Sequence, residues 1–145
     1  TPDPSNPRAF SAETLAEWSA EPFIDWHGRT EDVAAVWAAH HVACLPSRGG
    51  EGLPRTLLEA AACGRPLLTT NVPGCGDFVR DGEDGIVLPA GDSQGFAAAL
   101  ARFASEPELA ARMGASARAR VASGYTTNDV EQAVAKLYRD LAQTM

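Results

Sequence analysis

The chain has 145 residues, of which 45% are hydrophobic and 21% charged, and its formal net charge is −7. This length suits one domain with a single core. An acidic chain without basic clusters is a poor candidate for binding nucleic acid or an anionic membrane, and its longest apolar run is too short to span a bilayer. The cysteines, three in number, lack metal-ligand spacing, so we expect reduced thiols and a cytoplasmic protein.

In chain order, helices alternate with short apolar strands. Capping residues predict helices that begin near Ser11, Thr30, Ser93, Ser105 and Thr126. Glu31 and Asp32 are expected in the first turn of the helix that follows Thr30. The predicted strands cover residues 23–26, 41–45, 66–70 and 86–88. A further helix, placed between the second and third strands, is predicted to end at Gly64, before Pro66.

This alternation predicts a Rossmann-like α/β domain of three layers with a parallel sheet, spanning residues 1–145. The last helix carries an apolar stripe through Val130, Val134, Leu137 and Leu141. In an open parallel sheet, ligands bind beyond the carboxyl ends of the strands. The segment that follows the strand at 41–45 is therefore expected to contribute to a binding site.

That segment is Glu51-Gly-Leu-Pro-Arg-Thr-Leu-Leu-Glu59, in which two carboxylates flank the start of a predicted helix. Gly52 permits close approach of the backbone, and the amides entering the helix can bind phosphate oxygens. Carboxylates accept hydrogen bonds from paired sugar hydroxyls. The alternatives are a helix-capping acid at Glu51 and a solvated helix residue at Glu59. The whole motif is a more specific indicator of a binding site than either glutamate alone.

Residues 45–66 resemble the donor-binding segment of retaining GT-B glycosyltransferases with the E-x7-E motif, the group 1, family 4 type. Residues 73–75 and 81–89, and the pattern from Glu108 to Tyr125, resemble the segments that follow it. The resemblance covers nearly the whole chain in order. It implies the carboxy-terminal, donor-binding half of a hexosyltransferase. The greatest similarity is to bacterial enzymes that build cell-surface polysaccharides and lipid-linked oligosaccharides.

The resemblance also implies roles for individual residues. Glu51 would be the catalytic residue and bind hydroxyls of the transferred sugar, and Glu59 would bind the ribose. The donor site would include Gly52, Leu53 and Pro54, with backbone amides at Gly52 and Leu53 holding the diphosphate. Gly28 and Arg29 fall where the family places the nucleobase; an exposed loop is the alternative for Arg29. The donor is a nucleoside diphosphate sugar, and no metal or other cofactor is expected.

The loop at 71–76 would border the donor sugar, a plain turn being the alternative. One residue more than the commonest family spacing separates Ser47 from Glu51, which leaves the aim of Glu51 less defined than that of Glu59. The adjacent His40 and His41 lack a carboxylate or cysteine at helical spacing, so they do not predict a metal site.

The family's first strand-helix-strand and its amino-terminal domain have no counterpart in the sequence, so the resemblance implies an incomplete donor domain that is inactive alone. The full-length enzyme would use a carbohydrate or lipid-linked acceptor, with peripheral membrane association at the inner face of the membrane as an option. A non-catalytic nucleotide-binding or regulatory α/β module is the main alternative. A sugar-nucleotide epimerase or a phosphorylase-like domain is a second.

Overall fold

The computed structural model describes residues 9–49 and 52–143, and contacts divide the chain into two units, residues 1–33 and 34–145. The first unit contains helix α1 (Ala12–Ser19), and α2 (Val33–Ala39) begins at the boundary. The Thr14 amide donates to the Ser11 hydroxyl at 3.2 Å, which confirms the predicted cap of α1.

Two predictions for this part of the chain are wrong. Residues 23–26 form no strand: Phe23 has a φ of +75°, in the left-handed region, and residues 24–30 lack regular structure. A strand also needs a hydrogen-bonded neighbour, and no described strand pairs with this segment. Helix α2 begins at Val33, because the Thr30 hydroxyl accepts from the Asp32 amide at 3.2 Å and closes a turn ahead of the helix.

The second unit is an α/β layer structure. Its elements are β1 (Ala43–Leu45), α3 (Arg55–Ala62), β2 (Leu67–Thr70), α4 (Cys75–Phe78), β3 (Gly85–Leu88), α5 (Ser93–Ser105), α6 (Pro107–Ala122) and α7 (Thr127–Gln143). The three strands form a parallel sheet in the order β1-β2-β3, with Ala43 opposite Leu67 and Thr70 opposite Leu88. The predicted parallel sheet is confirmed, and its strands are shorter than the apolar runs in the sequence.

Helices cover both faces of this sheet. Successive side chains of a strand point to opposite faces, so Leu67 and Leu68 of the fully buried strand β2 belong to different clusters. Leu67 packs with α3, α4 and the carboxyl half of α6, whereas Leu68 packs with α5 and the amino half of α6. The Rossmann-like three-layer prediction is therefore correct for the described part of this unit.

The predicted helix starts are only partly right. Asp92 caps α5 in place of Ser93, because its carboxylate accepts from the Gly95 amide at 2.8 Å. Ser105 is the last residue of α5 and donates to the Arg102 carbonyl, so it caps nothing in α6, which begins at Pro107. The capping box of α7 is confirmed.

Helix α3 ends at Ala62, and the predicted glycine stop follows at Gly64, whose φ of +70° lies in the left-handed region. The Gly64 and Arg65 amides donate to the carbonyls of Ala61 and Ala60, respectively, which is the Schellman pattern. Helix α6 crosses this end of α3 at Gly114, where an added Cβ would overlap the Gly64 carbonyl oxygen. The two helices therefore pack with their backbones in close contact.

The apolar stripe of α7 is present but exposed. Its side chains at Val130, Val134, Leu137 and Leu141 are all about half exposed or more, and no residue of α7 among those described is buried. The helix thus contributes little to the core of the second unit.

Candidate functional site

The carboxyl end of β1 leads into the segment that carries the two-glutamate motif. The buried side chain of Thr69 donates to the Leu45 carbonyl at 2.9 Å, and that of Thr70 donates to the Ser47 carbonyl at 2.6 Å. These two hydrogen bonds from β2 fix the path of the chain as it leaves β1. Sequence reasoning missed this role; two threonines at the end of an otherwise apolar strand were the available signal.

Gly50 and Glu51 lie outside the described residues, so the prediction for Glu51 stays a prediction. The next described residue is Gly52, and no heavy atom lies within 4 Å of the position that a Cβ would occupy there. Gly52 and Leu53 are exposed, whereas Pro54 is buried. The backbone before α3 is therefore accessible at the two positions predicted to hold a diphosphate.

Pro54 is the N-cap residue, immediately before the first residue of α3. It has extended φ and ψ angles of −67° and 120°, and its carbonyl accepts from the amides of Leu57 and Leu58. No side chain among the described residues caps this helix. This geometry gives Pro54 a structural role at the helix start, and its predicted place in the donor site stays a prediction.

Glu59 lies on the second turn of α3 and is partly buried. Its side chain is 30% exposed, and its Oε1 atom lies 2.7 Å from Nε of Arg55, one helical turn earlier. The Arg55 side chain is 89% exposed. The carboxylate is thus neither buried in the core nor free in solvent, and it is held by a neighbouring guanidinium.

The loop that follows β2 comes close to the start of α3. Pro73, Gly74 and Asp77 line a cavity of about 380 Å³ together with Gly52, Leu53, Phe78 and Tyr125. The Gly74 amide donates to the Asp77 carboxylate at 2.9 Å, which holds the loop closed over the first turn of α4. The structure therefore brings part of the 71–76 loop beside Gly52 and Leu53.

A buried charged network lies behind the aromatic wall of this cavity. We call Asp84, Arg80, Ser116 and Arg120 the Asp84 network. Asp84 is 1% exposed and accepts from Arg80 Nε at 2.8 Å, Arg80 Nη2 at 2.6 Å and Ser116 Oγ at 2.9 Å. Burial acts to raise the pKa of Asp84, but the hydrogen bonds from Arg80 and Ser116 outweigh it and hold the pKa below its usual range.

Arg120 connects this network to the cavity. Its Nε lies 3.8 Å from Asp84 Oδ2, and its Nη2 donates to the Tyr125 hydroxyl at 3.3 Å. The guanidinium also lies within 6 Å of the ring centres of Phe78 and Tyr125, the usual range of cation–π contacts. The network thus holds the two aromatic residues that line the cavity.

The two remaining predicted site residues, Gly28 and Arg29, belong to the first unit, whereas the residues that line the cavity belong to the second. Gly28 has a φ of +66°, and both residues are exposed. The nucleobase role assigned to them remains a prediction.

The described residues hold neither a metal-ligand cluster nor a membrane-spanning helix. No group of three or more His, Cys, Asp or Glu side chains there is placed to hold a metal ion. No helix within residues 9–49 or 52–143 is long and apolar enough to span a membrane.

Comparison with known proteins identifies the family. Residues 4–106 match the family described as glycosyl transferases group 1. The glycogen synthase of Mycobacterium tuberculosis is 35% identical over 119 residues, which are 82% of this chain and 28% of that protein. The chain spans less than a third of the length of this relative.

Solved structures share the fold. Sucrose-phosphate synthase from Thermosynechococcus elongatus superposes with a TM-score of 0.81 at 26% identity, covering 92% of this chain and 34% of that one. HepE from Anabaena, solved with UDP-glucose, has a TM-score of 0.80 at 20% identity, covering 88% and 35%. The fold is that of the carboxy-terminal domain of a GT-B glycosyltransferase. With the family match covering most of its length, the chain belongs to the group 1 glycosyltransferases.

Proposed function

We propose that this chain is the donor-binding domain of a retaining glycosyltransferase and binds a nucleoside diphosphate sugar. One observation carries the proposal: the exposed backbone at Gly52 and Leu53 and the accessible carboxylate of Glu59 lie along the start of α3, at the carboxyl edge of a parallel sheet. Membership of group 1 supports it. So does HepE, a protein of the same fold solved with UDP-glucose.

In this proposal each part of the motif binds one part of the donor. Amides at Gly52 and Leu53 hold the diphosphate, aided by the positive end of α3. Glu59 accepts hydrogen bonds from the ribose hydroxyls, and Glu51 accepts them from the transferred sugar. Gly28 and Arg29 contact the nucleobase. The whole of residues 1–145 then serves one function, as a nucleotide-sugar domain.

The reaction of the full-length enzyme follows from this binding mode. The bond between the anomeric carbon and the diphosphate oxygen breaks, an acceptor hydroxyl bonds to the same face of the sugar, and its proton passes to the departing diphosphate. Charge develops on the leaving diphosphate, which oriented amides stabilise, so positioning and electrostatics supply most of the catalysis. The acceptor is a sugar or lipid-linked sugar in the synthesis of a surface polysaccharide or other glycoconjugate, a substrate class drawn from the family.

A titration of the chain with UDP, followed by isothermal calorimetry or amide NMR shifts, tests the donor site. The variant is Glu59→Gln, which keeps the shape of the side chain and removes its charge. A hydrogen bond to a charged group contributes about 1.5–3 kcal/mol, so we expect affinity for UDP to fall about 10- to 100-fold.

A matched control is available at the end of α5. Glu106, the residue that follows α5, pairs with Arg102 at the same four-residue spacing as Glu59 with Arg55, and it lies outside the two-glutamate motif. Glu106→Gln should bind UDP as the unsubstituted chain does. Equal affinity of the Glu59→Gln variant and the unsubstituted chain would remove Glu59 from the ribose role.

A further inference from the structure

The ion pair between Arg55 and Glu59 differs from the other arginine–glutamate pair of the same spacing. In the Arg102–Glu106 pair, Nε and Oε1 are 3.1 Å apart and both side chains are about half exposed, at 53% and 49%. In the Arg55–Glu59 pair the separation is 2.7 Å and the exposures are 89% and 30%. The Glu59 side chain is thus more buried than that of Glu106, and the Arg55 guanidinium beside it is more exposed than that of Arg102.

This arrangement leaves hydrogen-bonding capacity on both partners. A carboxylate offers about four acceptor positions and a guanidinium five N–H donors. The contact between Arg55 and Glu59 uses one acceptor position on Oε1 and the Nε–H donor. Acceptors on Glu59 and donors on Arg55 therefore stand side by side on one face of α3.

A vicinal diol matches such a pair chemically. Each hydroxyl both donates and accepts a hydrogen bond, so a carboxylate alone satisfies only the donating half of the diol. A guanidinium next to that carboxylate supplies donors to the lone pairs of the same hydroxyl oxygens. Arg55 would also hold Glu59 in one rotamer and so reduce the entropy lost when a ligand binds.

We propose that Arg55 and Glu59 together recognise the 2′,3′-diol of the donor nucleotide, with Arg55 both positioning Glu59 and donating to the ribose oxygens. This inference rests on the proposed function, which assigns the ribose to Glu59. It adds a residue that does not belong to the two-glutamate motif.

The test compares UDP with 2′-deoxy-UDP, which lacks half of the diol. Both nucleotides are titrated into the unsubstituted chain and into the variants Arg55→Ala, Arg55→Lys and Arg102→Ala. The unsubstituted chain should prefer UDP. Arg55→Ala should weaken UDP about fivefold and 2′-deoxy-UDP less than twofold, since one weak charged contact is lost only where the diol is present. The UDP affinity of Arg55→Lys should fall between those of the unsubstituted chain and Arg55→Ala. Arg102→Ala should bind both nucleotides as the unsubstituted chain does.

Two outcomes overturn the proposal. If Arg55→Ala binds UDP as tightly as the unsubstituted chain does, Arg55 has no part in the site. If it weakens both nucleotides equally, Arg55 only attracts phosphate through its charge. Because Arg55 is exposed, its alanine variant should melt within about 2 °C of Arg102→Ala, which separates binding from folding.

The failure of this inference is distinguishable from that of the proposed function. If Glu59→Gln weakens UDP and Arg55→Ala does not, the ribose site stands without Arg55. If Glu59→Gln leaves UDP affinity unchanged, the ribose site itself is refuted and the role of Arg55 with it.

Discussion

Replacing Asp84 by asparagine should destabilise the domain more than any exposed charge substitution. The carboxylate is almost fully buried and receives three hydrogen bonds of 2.6–2.9 Å, two of them from Arg80. An asparagine keeps one oxygen and turns an NH₂ group toward donors, so at least one guanidinium contact becomes repulsive. Ser116 and Arg120 also lose their contacts with the negative charge of Asp84.

The size of the effect depends on the burial of Asp84 and on the partial exposure of its partner Arg80. Removing one partner of a buried ion pair costs about 3–5 kcal/mol. Arg80 is 42% exposed and regains water, so we expect the lower end, about 3 kcal/mol. For a chain of nearly 150 residues this corresponds to a fall in Tm of about 6–12 °C.

The dependence on pH provides a second, independent readout. The pKa of Asp84 is depressed in the folded state, so its contribution is present above the ordinary carboxyl pKa, near pH ~4, and is lost as the pH falls through the folded value. The difference in stability between the unsubstituted chain and Asp84→Asn should therefore be constant around neutral pH and shrink in acid.

Urea unfolding at pH 7 and at pH 3, followed by circular dichroism, measures both quantities. Glu106→Gln serves as the control, because it removes an exposed partner from a pair at the same i,i+4 spacing and should cost less than about 0.5 kcal/mol. A loss below about 1 kcal/mol for Asp84→Asn, or a difference that does not shrink at pH 3, would refute the reasoning.

Two further predictions concern close backbone contacts and the loop after β1. Gly114→Ala should cost about 1–3 kcal/mol, because its Cβ overlaps the Gly64 carbonyl oxygen, whereas Gly124→Ala, which enters open space, should cost nothing measurable by urea unfolding. Thr70→Val removes the hydroxyl that holds the Ser47 carbonyl and should cost about 1 kcal/mol while weakening UDP in titrations; Thr70→Ser should restore both, and a valine variant with unchanged UDP affinity would argue against loop positioning.

The sequence predicts those features that depend on local chemistry. Gly64 ends α3 because the left-handed conformation suits glycine, and Thr126 and Asp129 form a capping box because both groups lie within one turn. The predicted strand at 23–26 fails because a short apolar run needs a hydrogen-bonded partner, which local sequence does not specify. Ser93 and Asp92 both suit a helix cap, and only the geometry shows that Asp92 is used.

The candidate site also contains features that local sequence predicts and features that depend on residues distant in sequence. Gly52 and Leu53, which the motif places in the donor site, are both exposed, and their role toward a diphosphate stays a prediction. The motif did not predict the pairing of Glu59 with Arg55, although an arginine four residues before a glutamate is a recognised helical pair. The sequence does not predict the contacts of Asp84, since its partners Ser116 and Arg120 lie more than 30 residues away and reach it only through the packing of α6.

Two sets of contacts that share no residue lie near the start of α3. On one side, Thr69 and Thr70 fix the segment that leaves β1. On the other, Arg120 connects Asp84 to Tyr125, which lines the same cavity as Gly52 and Leu53.

Effects at sites without shared partners usually add. The losses in free energy of unfolding caused by Thr70→Val and Asp84→Asn should therefore sum in the double variant. A double variant that loses much less than the sum would show that the two supports act through one common rearrangement of the loop before α3. That result would contradict the independence which the contacts indicate.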